Sequence, residues 1–256
     1  MIKSQQLPTR QRIRKGLILL AFLSFPVTMN YLSPYVIIEG AMNGVVNGSL
    51  VVFGLLFISA LFLGRAWCGW VCPGGAMQEL AEPINNSPVN RPKSDWIKWA
   101  IWIPWITLIV WGVLQAGGYR SVDLLYHTQD GISVAGTEDR PIIFAYVIYY
   151  GVVGLMVGLA VIFGRRAACH TVCWMTPFMI LGRKLRNRLN TPALRLRADT
   201  EECINCQKCT RACSMSLDVN NMVQTRAMEH SECILCGACA DVCPKSVIHF
   251  TFGKGR

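Results

Sequence analysis

The sequence predicts an α-helical membrane protein with four transmembrane helices, arranged as a duplicated hairpin and followed by a small α+β domain. Three observations predict it: four long stretches without charged residues, a cysteine pair that recurs after the second and fourth stretches, and eight further cysteines near the C-terminus. We expect a basic cytoplasmic tail, a membrane domain, a basic interfacial helix with linker, and a cysteine-rich domain, over residues 1–15, 16–176, 177–193 and 194–256.

The four uncharged stretches are each long enough to cross a bilayer, which takes about 20 residues. They are Gly16–Ile38, Gly40–Gly64, Trp99–Tyr119 and Pro141–Gly164. The first continues past Pro26 and lacks a small-residue cleavage site, so it is not predicted to be a signal peptide. Pro26 and Pro104 are expected to kink the first and third helices.

Lysine and arginine indicate the orientation. They concentrate in the tail and after the second and fourth stretches, at Lys3, Arg10, Arg12, Arg14, Lys15, Arg65, Arg91, Lys93, Arg165, Arg166, Arg183, Lys184, Arg186 and Arg188. The first intervening loop has none, and the third offsets Arg120 and Arg140 with acidic residues. The pattern predicts a multi-pass protein of the inner (cytoplasmic) membrane with both termini in the cytoplasm, where reduced thiols persist.

The net charge of +10 does not require a nucleic acid partner, because basic residues beside membrane ends meet anionic lipid headgroups. The segment Pro177–Asn190 places apolar residues before a basic run and predicts a helix lying on the membrane surface. A basic docking face for an acidic redox partner is the alternative.

The C-terminal cysteines form two consecutive runs with the spacing C-x2-C-x2-C-x3-C, the second followed by Pro244. This is the bacterial ferredoxin spacing, in which the fourth cysteine of each run ligates the other run's cluster. Cluster one is therefore predicted to take Cys203, Cys206, Cys209 and Cys243, and cluster two Cys233, Cys236, Cys239 and Cys213. Zinc sites and disulfides are the alternatives, but zinc sites use paired CxxC knuckles without a third cysteine at that spacing. Two [4Fe–4S] clusters indicate electron transfer. Leu194–Arg197 and Val247–Phe252 are predicted to pair as short strands, with a helix within Asp218–His230.

An internal repeat brings a second set of cysteines. Aligned on these cysteines, the segments around Cys68 and Cys72 and around Cys169 and Cys173 share Phe, Arg, Ala, Cys, Val and Cys at equal offsets. Residues four apart share a helix face, so two such motifs can offer four thiolates to one centre. A third Fe–S cluster is the first expectation. A copper or other soft-metal site, a dithiol relay, and simply buried small side chains are the alternatives.

Three further residues accompany these pairs. His170 lies between the cysteines of the second pair, at the position that Gly69 occupies in the first. It is expected either to ligate a metal or to lie outside the ligand set, facing the ligands or solvent. Arg65 and Arg166 precede the pairs and either offset thiolate charge or extend to lipid headgroups.

No uncharged stretch carries an ionisable residue near its middle, which disfavours an ion pump. The chain has no dinucleotide fingerprint, P-loop or haem-attachment motif. Proton acceptors for a quinol would be Glu39, Asp123, His127 or Asp130, unless these only solvate a loop. Flanking aromatic residues, which otherwise form an interfacial belt, are Trp67, Trp70, Trp96 and Trp99.

The whole arrangement resembles the NapH-type membrane ferredoxins across roughly residues 10–252. It is similar to the polyferredoxin cores of the nitrous-oxide-reductase accessory protein and of the cytochrome-oxidase assembly copper reductase. Cys68 and Cys72 match the family's first C-x3-C-Pro motif, whereas Trp174 replaces the proline of the second. The resemblance implies that the protein acts as a quinol dehydrogenase or transfers electrons between other redox proteins.

The function expected is therefore that of a membrane-anchored iron–sulfur protein. It would pass electrons between the quinone pool or a membrane redox partner and a partner oxidoreductase, within a redox complex. Two alternatives remain: a copper or iron reductase that assists assembly of a metalloenzyme, and a non-catalytic anchor subunit.

Overall fold

The computed structural model describes residues 8–89, 95–135 and 141–255, as a helical domain followed by a small cysteine-rich domain. Its helices are α1 (Thr9–Leu23), α2 (Phe25–Thr28), α3 (Pro34–Asn43), α4 (Gly48–Leu63), α5 (Ala66–Trp70), α6 (Pro73–Leu80), α7 (Ile97–Gln115), α8 (Ile142–Phe163), α9 (Ala167–Thr171), α10 (Thr176–Leu189), α11 (Lys208–Arg211), α12 (Val219–Gln224) and α13 (Ala238–Asp241). Its strands are β1 (Val45–Asn47), β2 (Ser121–Asp123), β3 (Ala193–Ala198) and β4 (Ile248–Gly253). Short 3₁₀ turns occur at Asn30–Leu32, Ser133–Ala135 and Thr200–Glu202.

Two helices are long and apolar enough to cross a membrane, α7 and α8, with mean hydropathies of 1.7 and 2.2. Only 17% of the most apolar stretch of α7 and 11% of that of α8 are buried within the protein. Most of the surface of these two helices is therefore free to contact lipid. They occupy the predicted stretches Trp99–Tyr119 and Pro141–Gly164, and Pro104 lies inside α7. The protein is therefore membrane-associated.

The second stretch contains a shorter apolar helix. Gly40 to Asn43 belong to α3, and the chain then turns at Gly44, whose φ is 65°. After β1, helix α4 runs for 16 residues, about 24 Å at 1.5 Å per residue.

The first stretch, Gly16–Ile38, does not form the single kinked helix that the sequence predicts. Helix α1 ends at Leu23, and α2, a 3₁₀ turn and α3 follow in its place. Pro26 and Pro34 lack the N–H that would continue a helix. Side chains from other elements satisfy the carbonyls at this break, which stabilises it: the Trp174 indole donates to Leu32 O (2.9 Å), the Trp105 indole to Pro34 O (3.1 Å) and the Ser49 hydroxyl to Ser33 O (2.9 Å).

The two repeats interlock. Each consists of a long apolar helix, a five-residue helix and a returning helix, namely α4–α5–α6 and α8–α9–α10. The returning helix α6 packs against α8, and α10 packs against α4. Because each repeat packs its last helix onto the other repeat, the two C-x3-C motifs meet between them.

Helix α10 covers the predicted interfacial segment, but its basic residues are divided between two environments. Arg183 and Arg186 are buried and pair with Glu229 of the cysteine-rich domain, whereas Arg188 is exposed. The helix therefore joins the two domains, and its buried arginines do not face lipid headgroups.

The cysteine-rich domain is closed by the predicted strand pair. Strands β3 and β4 are antiparallel, with Ala193 opposite Gly253 and Ala198 opposite Ile248. Helix α12 is shorter than the predicted 218–230 segment. It begins at a cap in which the Asp218 carboxylate accepts from Asn221 N–H (3.1 Å), and the chain leaves the helical region at Arg226, whose φ is 55°.

The N-terminal segment lies against the cysteine-rich domain. The Gln11 side chain donates to Cys236 O (3.0 Å) and to Asp241 (2.6 Å), which also pairs with Arg10 (3.3 Å). Residues 1–7 of the predicted tail lie outside the described residues, as do Arg91, Lys93 and Arg140, which entered the prediction of orientation.

Candidate functional site

The first cavity of the cysteine-rich domain is lined by cysteines of both runs. Cys203, Cys206 and Cys209 approach it from one loop, and Cys243 comes from the end of the other run. Val223, Val247 and Ile248 supply its apolar wall. We call these four thiols the cluster-one set.

The second cavity is lined by Cys233, Cys236, Cys239 and Cys213, the cluster-two set. Cys213 belongs to the first run in sequence but reaches this cavity after α11. Its other walls are apolar, with Leu196, Met215, Leu217, Val219, Met222, Met228 and Ile234 among them. The two sets are therefore intertwined through the crossing of Cys213 and Cys243.

The membrane set consists of Cys68, Cys72, Cys169 and Cys173, all of them buried. Cys72 lies within electrostatic range of the other three thiols, so the repeats bring all four together. Cys68 and Cys169 pack into the core of the cysteine-rich domain, whereas Cys72 and Cys173 pack beside Phe53 and Trp105 in the helical domain. The membrane set thus bridges the two cores.

The two cysteines of each pair do not share one helix face, contrary to the prediction. Helix α5 ends at Trp70, and Cys72 is extended (φ −84°, ψ 120°) before Pro73 begins α6. A residue before proline avoids the helical region, so Pro73 forces the break. Cys173 likewise follows the end of α9 rather than lying in it.

The spacing of all three sets is wider than one small ion needs. A tetrahedral ion bound at 2.3 Å to each thiolate holds sulfurs about 3.8 Å apart. Among the described residues, which include every cysteine, no three thiols lie within 4.8 Å of one another. The donors of all three sets are thiols that do not gather around a single small ion, and cysteine thiolates are the usual ligands of the larger iron–sulfur cores.

Two buried arginines flank the membrane set. Arg65 and Arg166 are both fully buried, which excludes extension to lipid headgroups. Arg65 lies in electrostatic range of Cys68 and Cys169, and Arg166 of Cys169 and Cys72. Their positive charges therefore offset the charge of the thiolates.

Each arginine has a carboxylate partner that sequence reasoning missed. Arg166 pairs with Glu79, which also binds Arg14 (2.7 Å). The equivalent of Glu79 in the second repeat is Ile180, so Arg65 pairs instead with Glu232 of the cysteine-rich domain (2.6 Å). Burial acts to raise the pKa of Glu232, but Arg65 and Lys98 prevail and hold this pKa at about 2. One sequence feature pointed to Glu232: a glutamate directly precedes the first cysteine of both runs.

His170 is fully buried beside this network. Its Nδ1 is 2.8 Å from Asp95 Oδ1, and its Nε2 has no hydrogen-bond partner among the described residues. Asp95, His170 and Glu232 come within 4.8 Å of one another, as metal ligands would. The ammonium of Lys98, 2.7 Å from Glu232 and 3.7 Å from Asp95, already supplies the positive charge there. This arrangement favours a supporting role for His170 over metal ligation.

The loop that carries the first cysteines of the second run, residues 233–239, is called the cluster-two loop, and residues 203–209 the cluster-one loop. The cluster-two loop contacts the first C-x3-C motif directly. The Trp70 indole donates to Leu235 O (3.0 Å), and Gly69 lies so close to the Ile234 carbonyl that a side chain would collide with it. These contacts place Cys233, Cys236 and Cys239 next to the first C-x3-C motif. The cluster-one loop does not share this contact, because Ile204 and Asn205 are exposed.

The four residues predicted as proton acceptors for a quinol lie away from the three cysteine sets. His127 Nε2 is 3.0 Å from Glu39, near the loop in which β1 and β2 pair, while Asp123 and Asp130 are exposed. Of the predicted flanking aromatics, Trp70 binds the cysteine-rich domain, Trp96 is exposed, and Trp99 packs on Trp102.

Two family models match the chain and together cover more than half of it. The one described as a 4Fe-4S binding domain matches residues 48–88 and 144–192, which are the two repeats. The other, described as a 4Fe-4S dicluster domain, matches residues 202–248. The fold and these sites define an iron–sulfur protein of the electron-transport class.

The matched domains are those of iron–sulfur polyferredoxins, and the chain is distantly similar to several curated proteins. The protein YccM of Escherichia coli is 25% identical over 86% of this chain and 60% of its own length. The nitrogen fixation protein FixG of Rhizobium meliloti is 24% identical over 77% of this chain and 41% of its own. The methylamine utilization ferredoxin-type protein MauN of Methylorubrum extorquens is 24% identical over 71% and 59%.

The chain thus spans less than two thirds of the length of these three relatives. No solved structure matches the chain. The predicted resemblance to membrane ferredoxins and the prediction of [4Fe–4S] cofactors are confirmed at the level of the family.

Proposed function

We propose that this protein conducts electrons between a membrane donor, the quinone pool or a membrane redox partner, and a partner oxidoreductase. The observation that carries the proposal is the order of the three cysteine sets. The membrane set reaches into the helical domain, the cluster-two set lies against it, and the cluster-one set lies at the exposed end.

The proposed ligands follow from the cavities. Cys203, Cys206, Cys209 and Cys243 would hold cluster one, and Cys233, Cys236, Cys239 and Cys213 would hold cluster two. The membrane set would hold a third centre, for which a [4Fe–4S] cluster fits the all-thiol donors and their spacing. When bound, each cluster takes up and releases single electrons at a potential that its protein surroundings set.

The chain's own residues make this series suitable for electron transfer. Arg65 and Arg166 lower the cost of burying thiolates at the membrane set. Glu232 and Glu79 balance the arginines, so the junction carries compensated charges. Trp70 and Gly69 hold the cluster-two loop against the membrane motif.

We further propose a four-pass topology in which α1–α3 together, α4, α7 and α8 cross the membrane and both termini face the cytoplasm. The contact of Arg10 and Gln11 with Asp241 supports a common side for the termini. The broken first span is compatible with a bilayer because Trp174, Trp105 and Ser49 satisfy the carbonyls at the break.

An apolar cleft supports a quinone as the membrane donor. It holds about 350 Å³ between α3, α4, α7 and α10, and its walls include Phe53, Trp102, Trp105 and Phe178. Phe53 and Trp105 pack in the same core as Cys72 and Cys173. A quinone ring in this cleft would lie beside the deep end of the membrane set.

The test is the iron and acid-labile sulfide content of protein purified without oxygen. Three clusters give about 12 of each per chain, and two give about 8. The double variant Cys72→Ser, Cys173→Ser should lower the content by about 4 and abolish reduction of clusters one and two by a short-chain quinol. Full reduction by quinol in that variant would refute the proposed path.

A metal reductase is the second candidate, and one contact favours it. The Met179 thioether lies 3.4 Å from Cys68 Sγ, and soft sulfur donors of this kind select Cu(I). Copper in place of the third iron–sulfur centre, together with about 8 irons per chain, would favour this candidate.

A further inference from the structure

The repeat equivalence exposes an asymmetry around the membrane set. Gln78 follows Cys68 by ten residues, and Met179 follows Cys169 by ten, so they occupy equivalent positions. Each reaches the first cysteine of the opposite repeat. The Gln78 amide donates to Cys169 Sγ (3.2 Å), whereas the Met179 thioether lies against Cys68 Sγ (3.4 Å).

The Gln78 amide is held in one orientation. Its Oε1 accepts from the backbone N–H groups of Ala168 (2.9 Å) and Cys169 (3.4 Å), and its Nε2 also donates to Gly74 O (2.8 Å). An oxygen that accepts from two N–H groups cannot be exchanged with the NH₂ group, so the donor must face the sulfur. Gln78 and Met179 are both buried, so no solvent competes at either sulfur.

The second cysteines of the two pairs also differ in their side-chain hydrogen-bond donors, again in favour of the second repeat. Cys173 Sγ is hydrogen-bonded by the hydroxyl and the backbone N–H of Thr176. Its counterpart Cys72 has the backbone N–H of Gly75, which carries no side chain. The arginines act in the opposite sense, because Arg65 hydrogen-bonds Cys68 whereas Arg166 reaches Cys169 through its charge alone. Both cysteines of the second repeat thus receive a neutral side-chain donor that those of the first lack.

We propose that Gln78 is the positioning residue that raises the reduction potential of the third centre, by hydrogen-bonding Cys169. This inference rests on the proposed third centre. Hydrogen bonds to ligand sulfurs stabilise the more negative, reduced form of a cluster and so raise its potential. Met179 provides no such donor at Cys68, so exchanging the two residues moves the amide donor from Cys169 to Cys68.

The experiment is a redox titration of the intact protein in detergent, followed by electron paramagnetic resonance. Gln78→Met should lower the midpoint potential of the third centre alone, and Met179→Gln should raise it. The double exchange Gln78→Met, Met179→Gln should return the midpoint toward the wild-type value. Gln78→Glu keeps the acceptor for Ala168 and Cys169 but loses the donor, and it should also lower the potential.

Two controls make the result specific. Gln129→Met changes the same residue type at an exposed position and should leave every midpoint unchanged. Gln224→Met removes a donor to Cys203 (3.4 Å) and should shift cluster one only. An unchanged third-centre midpoint in Gln78→Met and Met179→Gln would overturn the inference. Wild-type protein with only two clusters would instead overturn the proposed third cluster, a different failure that iron analysis reveals first.

Discussion

The two cysteine runs share a sequence pattern but occupy opposite environments. Each run begins Glu-Cys-Ile, yet Ile204 is 58% exposed and Ile234 is 1% exposed. The glutamates differ in the same way, since Glu202 is exposed and Glu232 is buried between Arg65 and Lys98. The motif determines which metal centre can bind, whereas the neighbours of the loop determine which part of the protein that centre faces.

The backbone of the two loops is the same, which sharpens the comparison. Asn205 and Leu235 both adopt positive φ, 53° and 51°. Asparagine tolerates this region, whereas leucine rarely does. Leu235 is held there because it packs against Gly64 of the helical domain and its carbonyl accepts from Trp70. The strained backbone at Leu235 is thus stabilised by its contacts with Gly64 and Trp70 of the helical domain.

The largest effect is expected from Ile234→Asp. The change removes a buried side chain, worth about 1.5–3 kcal/mol, and places a carboxylate without a partner at the junction, at a cost of about 3–5 kcal/mol. We expect separation of the cysteine-rich domain from the helical domain and loss of cluster reduction by quinol, measured by stopped-flow absorbance. Ile204→Asp, at the exposed counterpart, should change stability by no more than about 0.5 kcal/mol. Equal effects of the two changes would contradict the comparison.

The next effect is expected from Glu232→Gln. The amide still accepts hydrogen bonds, but Arg65 and Lys98 lose their compensating charge, at a cost of about 3 kcal/mol in unfolding free energy. A guanidinium titration followed by loss of cluster absorbance measures it. Glu202→Gln is the matched control and should leave the guanidinium concentration at half-unfolding unchanged. A wild-type midpoint for Glu232→Gln would show that the ion pairs do not stabilise the junction.

A smaller effect concerns pH and Glu229. Burial acts to raise the pKa of Glu229, but Arg183 and Arg186 outweigh it and hold this pKa at about 2. The folded-state pKa lies below the unfolded value of about 4.3. The contribution of the ionised Glu229 carboxylate to the free energy of unfolding is therefore complete above that value and is lost as pH falls toward 2. The stability difference between wild type and Glu229→Gln should therefore be constant from pH 7 to 5 and narrow below pH 4.

The contribution is modest because about a third of the Glu229 side chain is exposed (34%). Its counterpart in the first run, Asp199, pairs with the exposed His249. Asp199→Asn, at this exposed position, is the matched control and should change the free energy of unfolding by no more than about 0.5 kcal/mol. A difference for Glu229→Gln that stays constant down to pH 3 would argue against a lowered pKa.

The smallest effect is expected from Trp70→Phe. The ring still packs, but the hydrogen bond to Leu235 O is lost, which costs about 0.5–1.5 kcal/mol. Hydrogen exchange of the cluster-two loop should accelerate, while that of the cluster-one loop stays as in wild type. Trp96→Phe, at an exposed position, serves as the control and should alter neither loop.

Much of the fold could be predicted from local pattern. The long helices α7 and α8 and the β3–β4 pair occupy the predicted segments, because uniform apolarity and strand alternation are local properties. The break at Leu23 could not be predicted in place. Proline at 26 permits either a kink or an end of the helix. Further along this broken segment, the carbonyls of Leu32 and Pro34 accept from Trp174 and Trp105, which are distant in sequence.

The candidate site shows the same division. The sequence by itself determined the chemistry: twelve cysteines in three groups, of which the spacing of two is specific for [4Fe–4S] clusters. The tertiary structure alone decided which cysteine loop meets the C-x3-C motifs. Arg65 pairs with Glu232 of the cysteine-rich domain, since the second repeat has Ile180 where the first repeat supplies Glu79 to Arg166. Metal ligation follows residue type and local spacing. Charge compensation and burial depend on residues far apart in the chain, whose meeting no local pattern encodes.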